Sequence, residues 1–163
     1  MFPTKMLLAS DGSAEATRAA RMAVTLSEKL DSELHVAYVE PLPDHFASPE
    51  SITYHPEYRH ELRKIAERDA HDKLGKEAQK IRDMGEVTET HARVGRPDAE
   101  IVRLAEEIDA GLVVLGSRGL GPIRRALMGS VSSSVVRHAQ CSMLVVRGQE
   151  QTESRGSTEA SRA

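Results

Sequence analysis

The stretch that decides the fold is Leu112-Val113-Val114-Leu115-Gly116-Ser117-Arg118-Gly119. Its first half is a short continuous apolar run, which fits a strand buried on both faces of a sheet. Gly116 ends the run, and a glycine- and arginine-rich loop continues from Ser117 to Gly129. Val131, Val135, Val136 and Ala139 then fit a short helix that begins just behind Gly129. A strand, a glycine loop and a helix in that order make one α/β unit, and ligands of such units bind beyond the carboxyl end of the strand.

Working outward, the same alternation fills the chain. Met6-Leu7-Leu8-Ala9 reads as a first strand, and Ser10-Asp11-Gly12-Ser13 as a turn with Ser13 an N-cap. Ala16, Ala19, Ala23, Leu26 and Leu30 follow at helical spacing. Leu34, Val36, Tyr38 and Val39 form a second strand, and the proline-rich segment from Pro41 to Pro56 a long loop. A long helix spans Glu57 to Met84, with an apolar stripe of Tyr58, Leu62, Ile65, Ala66, Leu74, Ala78 and Ile81, and Gly85 stops it. Val87 to Val94 is a third strand; Pro97 opens a helix whose buried face is Ile101, Leu104, Ala105 and Ile108; Met143-Leu144-Val145-Val146 is a last strand. Five strands alternating with four helices predict an α/β fold: a single-domain, five-stranded parallel sheet, doubly wound, with right-handed crossovers. Residues 148–163 contain no Val, Ile, Leu, Met or aromatic residue and are expected to be a disordered tail behind a domain of residues 1–147.

The glycine loop carries the chemistry. Glycine lets backbone approach a ligand closely, and the helix start behind Gly129 offers free N–H groups and a favourable dipole to an anion. Ser130 and Ser132 add hydroxyls, and Arg118, Arg124 and Arg125 add positive charge, a set that suits a triphosphate. Each feature alone has a plainer reading: a strand end, an N-cap, a solvated arginine. Their coincidence where the topology places a ligand favours binding.

Composition excludes several classes. A formal net charge of −3 lacks the basic face that nucleic acid requires, and an aromatic content of 3% without Trp offers no stacking platform. The chain has no apolar run of the ~20 residues that cross a bilayer and no leader pattern, and its lone Cys141 suits a reducing, cytoplasmic setting. Neither the Walker pattern nor the dinucleotide glycine fingerprint is present. His45, His55 and His60 cluster around the long loop, but no histidine spacing suggests a metal set. No residue stands out as a catalytic base.

The pattern Gly116-x2-Gly119-x9-Gly129-Ser130 resembles, without a gap, the nucleotide-binding motif of the universal stress protein family. The opening Ser10-Asp11-Gly12-Ser13, the strand Leu34 to Val39 and the run Ile123 to Val131 resemble it too, so that the likeness covers Lys5 to Arg147. The resemblance implies a Rossmann-like sheet of the adenine nucleotide alpha hydrolase kind and an ATP-binding type, with AMP or ADP as alternatives and Mg²⁺ arriving on the phosphates. It implies that Ala9 and Ser10 line the adenine through backbone groups, that Asp11 meets the ribose, and that Val39 bonds adenine through its backbone. Gly116, Ser117, Arg118 and Gly119 would hold ribose and phosphates, and Gly129, Ser130, Val131 and Ser132 the phosphates. It also implies a homodimer through Met143, Leu144, Val145 and Val146. A nucleotide-responsive regulatory dimer in stress response is the expectation; the alternative is a slow ATPase or a phosphotransferase acting on its own serines.

Overall fold

The computed structural model describes residues 4–42, 56–120 and 128–148. Nine elements alternate along it: β1 (Lys5–Ala9), α1 (Ala14–Leu30), β2 (Glu33–Glu40), α2 (Pro56–Arg82), β3 (Glu89–Val94), α3 (Pro97–Glu107), β4 (Leu112–Gly116), α4 (Ser130–His138) and β5 (Ser142–Val146). The strands form one sheet in the order β3-β2-β1-β4-β5, and every neighbouring pair is parallel. The expected doubly wound α/β sheet is therefore present. Arg124 and Arg125, the middle of the proline-rich loop and the tail from residue 149 onward lie outside the described residues.

The alternation of side chains along the strands divides the core in two. Met6, Leu8, Leu34 and Val36 face α1 and α2, where they meet Ala19, Ala23, Leu74 and Ile81. Leu7, Ala37, Val113 and Leu115 face α3 and α4, where they meet Ile101, Leu104 and Val135. Met6, Leu7, Leu8, Val113 and Val114 have no exposed surface, which is why β1 and β4 read as unbroken apolar runs. The alanines of α1 let that helix lie close on the sheet, and Ser13 caps it by accepting from the Ala16 N–H at 3.1 Å.

Helix α2 departs from its expected stripe. Leu74, Ala78 and Ile81 are buried, but Tyr58 is 66% exposed and Ile65 51% exposed. The reason is length. A 27-residue helix runs about 40 Å at 1.5 Å per residue, whereas the eight-residue β2 spans about 26 Å at 3.3 Å per residue. The first half of α2 overhangs the sheet it was expected to cover. Gly85 also differs in its reason: it is not among the glycines with positive φ, and an added Cβ there would overlap Val24 Cγ1. Close packing on α1, rather than a left-handed cap, demands glycine.

The chain runs outward from β1 to β2 and β3, then returns to β4 on the other side of β1. The connections after β1 and β4 therefore leave toward opposite faces of the sheet and open a crevice between them.

Candidate functional site

Both loops at this switch point are tied together by side chains. Asp11 Oδ1 accepts from the Ser13 N–H at 2.9 Å, an Asx turn, while Oδ2 accepts from the Leu120 N–H at 3.1 Å in the glycine loop. The reading of Asp11 as a turn former is realised, and its second oxygen also ties the turn to the glycine loop.

Ser117 is the knot of the loop. It is 2% exposed. Its N–H donates to Val146 O at 2.8 Å, its hydroxyl donates to Glu15 Oε2 at 2.7 Å, and its carbonyl accepts from the Gly129 N–H at 2.6 Å and the Ser132 hydroxyl at 2.8 Å. The start and end of the glycine loop are thus clamped together, with Gly116, Ser117, Arg118, Gly129 and Ser132 in one cluster.

None of the three motif glycines is at positive φ; closeness explains two of them. A Cβ on Gly116 would come within 3.0 Å of the Glu15 backbone, and one on Gly119 would overlap Asp11 Oδ2. Gly129 lies in ordinary contact with Ser117 O and stands as N-cap of α4 without a capping side chain. The first turn of α4 contains no acidic residue, in contrast to α1 with Glu15 and α3 with Asp98 and Glu100. Its leading N–H groups have no acceptor within the helix, and Ser130 beside them is exposed. The helix dipole gives this end of α4 a positive character. Ala9 and Val39, at the carboxyl ends of β1 and β2, are half-buried on the same α3–α4 side of the sheet.

Two carboxylates at the site come from helices rather than from the loops. Glu15 Oε2 accepts from the Ser117 hydroxyl and from the Arg118 N–H, both at 2.7 Å. Glu77, from the buried half of α2, accepts from the Ser10 hydroxyl at 3.2 Å and pairs with Lys80 at 2.6 Å. Glu15 is visible in the sequence as an acidic first-turn residue. Its reach to a serine 102 residues away has no sequence signal. A cleft of about 880 Å³ opens on the α2 side of the β1–α1 loop, lined by Asp11, Gly12, Tyr38, Lys73, Glu77 and Leu120 among others. Burial first, and then Glu40, raise the Tyr38 hydroxyl above its ordinary pKa. The bond to Glu40 raises Lys73, so both groups keep their protons at neutral pH. Cys141 is half-buried on β5's approach and burial raises its thiol, leaving it a poor nucleophile.

Comparison with known proteins matches this arrangement to one family. The model of the universal stress protein family matches residues 3–147. The chain is 33% identical over 150 residues to universal stress protein Sll1388 of Synechocystis, covering 88% of this chain and 97% of that one. The structure of universal stress protein UspA from Lactobacillus plantarum superposes with a TM-score of 0.67 at 26% identity, covering 88% of this chain and 97% of that chain. In fold the chain is also similar to the universal stress protein from Archaeoglobus fulgidus solved in complex with dAMP, with a TM-score of 0.61, 24% identity, and 90% and 99% of the two chains covered. The family model spans most of the chain and the Synechocystis relative is matched over nearly its full length, and this chain belongs to the universal stress protein family.

Proposed function

We propose that the chain binds an adenine nucleotide, ATP for preference, in the crevice between the β1–α1 loop and the glycine loop, and acts as a nucleotide-responsive regulatory protein. The observation that carries this is the uncapped, acid-free N-terminus of α4, set beside a glycine loop at the topological switch point. A protein of this fold has been solved with dAMP, which supports an adenine nucleotide as the class of ligand.

The hydrogen bonds refine the roles. Asp11 already accepts two backbone N–H groups, yet a carboxylate has about four acceptor sites, so it can take a ribose hydroxyl without leaving its turn. The Ser117 and Ser132 hydroxyls each donate to protein acceptors, and a hydroxyl has only one proton to give. Phosphate oxygens would therefore be met by the backbone N–H groups of Ser130, Val131 and Ser132, the Ser130 hydroxyl and Arg118. Ala9, Ser10 and Val39 would frame the adenine through their backbone, and Gly116 and Gly119 would leave it room beside the ribose. Mg²⁺ would ride on phosphate oxygens and water.

The purified chain is denatured and filtered, and the filtrate is analysed by mass spectrometry; ATP, ADP and AMP are then titrated into nucleotide-free protein by calorimetry. An adenine nucleotide in the filtrate, and saturable heats with ATP strongest, are expected. An empty filtrate together with flat titrations for all three overturns the proposal.

A further inference from the structure

The tripeptide pattern Glu-x-His occurs twice, as Glu33-Leu34-His35 and as Glu89-Thr90-His91. Strands β2 and β3 pair with His35 opposite Glu89 and Ala37 opposite His91. Both pairs therefore lie on one face of the sheet, near the amino ends of the strands. The crevice lies at the opposite, carboxyl ends. The His35 side chain is only 5% exposed. Its Nε2 is 3.3 Å from Glu33 Oε2, while its Nδ1 is 3.0 Å from His91 Nε2 and 3.7 Å from Glu89 Oε2. One ligand atom from each of His35, Glu89 and His91 falls within 4.8 Å of the other two.

The geometry points to a divalent transition-metal site formed by His35 Nδ1, His91 Nε2 and Glu89, with zinc the representative ion. Ligand atoms about 2.0–2.2 Å from a tetrahedral ion stand about 3.3 Å apart, which lies between the two distances found around His35 Nδ1. Glu33 supplies the outer partner. By accepting the Nε2 proton of His35 it leaves Nδ1 as the lone-pair nitrogen, the carboxylate–histidine arrangement that orients metal ligands. Glu33 and Glu89 together balance a doubly charged cation. Arg93, the nearby cation, is held by Glu107. Two imidazoles and a carboxylate favour zinc and its late first-row neighbours over magnesium or calcium.

The rings meet edge to edge. Their planes differ by 12° and their centres are 5.3 Å apart, while the facing nitrogens are 3.0 Å apart. Without an ion, one N–H bridges the two nitrogens. With one, the ion sits off the line between them, and His91, partly exposed, and Glu89, exposed, turn toward it. The bound ion would fasten the edge strand β3 to β2, because one ligand comes from β2 and two from β3.

The full-length chain is stripped with EDTA, dialysed and titrated with zinc chloride by calorimetry, and its Tm is measured with and without zinc. Wild type is expected to bind one zinc per chain and to gain Tm on binding. His91→Ala is expected to weaken binding at least tenfold and to lose the gain in Tm, while His60→Ala, which alters an exposed histidine of α2, leaves both unchanged. If His91→Ala does not fold, Glu89→Gln, an exposed carboxylate, takes its place with the same expected loss. No stoichiometric binding by wild type, or equal binding by wild type and the site variant, overturns the site and leaves a proton-bridged histidine pair.

Discussion

Ser117 uses every polar atom it has, and each atom joins a different part of the site. Removing only its hydroxyl isolates one of them. Ser117→Ala is expected to cost about 1.5–3 kcal/mol, the range for hydrogen bonds to charged groups, read from urea unfolding; a change within about 0.5 kcal/mol would mean that the hydroxyl bond to Glu15 adds little to the clamp. Gly119 tests the ligand side. In Gly119→Val the new Cβ collides with Asp11 Oδ2, so the loop must move away from the carboxylate that is proposed to hold ribose. ATP affinity in calorimetry is expected to fall at least tenfold, about 1.4 kcal/mol, and unchanged affinity would refute the placement. Asp98 allows a pH test. Its burial opposes ionisation, but the Ser134 hydroxyl at 2.7 Å, Arg96 and the Ala99 N–H outweigh that and hold its pKa below the ordinary carboxylate value. A depressed folded pKa means stability that is present above the unfolded value of about 3.9 and is lost as pH falls through the folded one. Ser134→Ala should raise the Asp98 pKa in an NMR titration and weaken its link between α3 and α4.

At the scale of elements, α2 divides where the sheet ends. Its second half carries Leu74, Ala78 and Ile81 into the core, and Glu77 to the site. Its first half stands with Tyr58 and Ile65 in solvent. Leu74→Ala is expected to cost about 2–5 kcal/mol, as truncation of buried leucine does. Ile65→Ala should stay within about 0.5 kcal/mol. Chemical denaturation compares the two, and equal costs would mean that the overhang is covered. Helix α4 matters for what it lacks: it has neither a capping side chain nor a first-turn acid, which is what the proposed phosphate contact needs.

At the scale of the molecule, the sheet has two edges, β3 and β5. Leu144, Val145 and Val146 on β5 are only partly buried, and an edge strand of apolar residues invites pairing. We infer that two copies join through Met143 to Val146. Sedimentation at micromolar concentration should give a dimer, and Val145→Lys should shift it to monomer with its circular dichroism retained; a wild type that stays monomeric would refute the interface.

Much of this was legible in the residues themselves. The apolar runs of β1 and β4 were readable because central parallel strands are buried on both faces, and alternation with helical periods implied the doubly wound sheet. Gly116, Gly119, Gly129 and Ser130 marked the loop by composition alone; the close approach of Gly116 to the Glu15 backbone and of Gly119 to the Asp11 carboxylate leaves no room for a Cβ at those two positions. Other features needed the folded chain. The overhang of α2 depends on where the sheet stops, a length that periodicity does not report. Glu15, Glu77 and the His35–Glu89–His91 group act through partners far away in sequence, and only strand register and helix packing bring those atoms within bonding distance. Local pattern by itself determined which segments are strands, helices and glycine loop, since that information lies between near neighbours; which carboxylates and imidazoles meet was decided by tertiary structure, since hydrogen bonding and coordination act over about 2–3 Å.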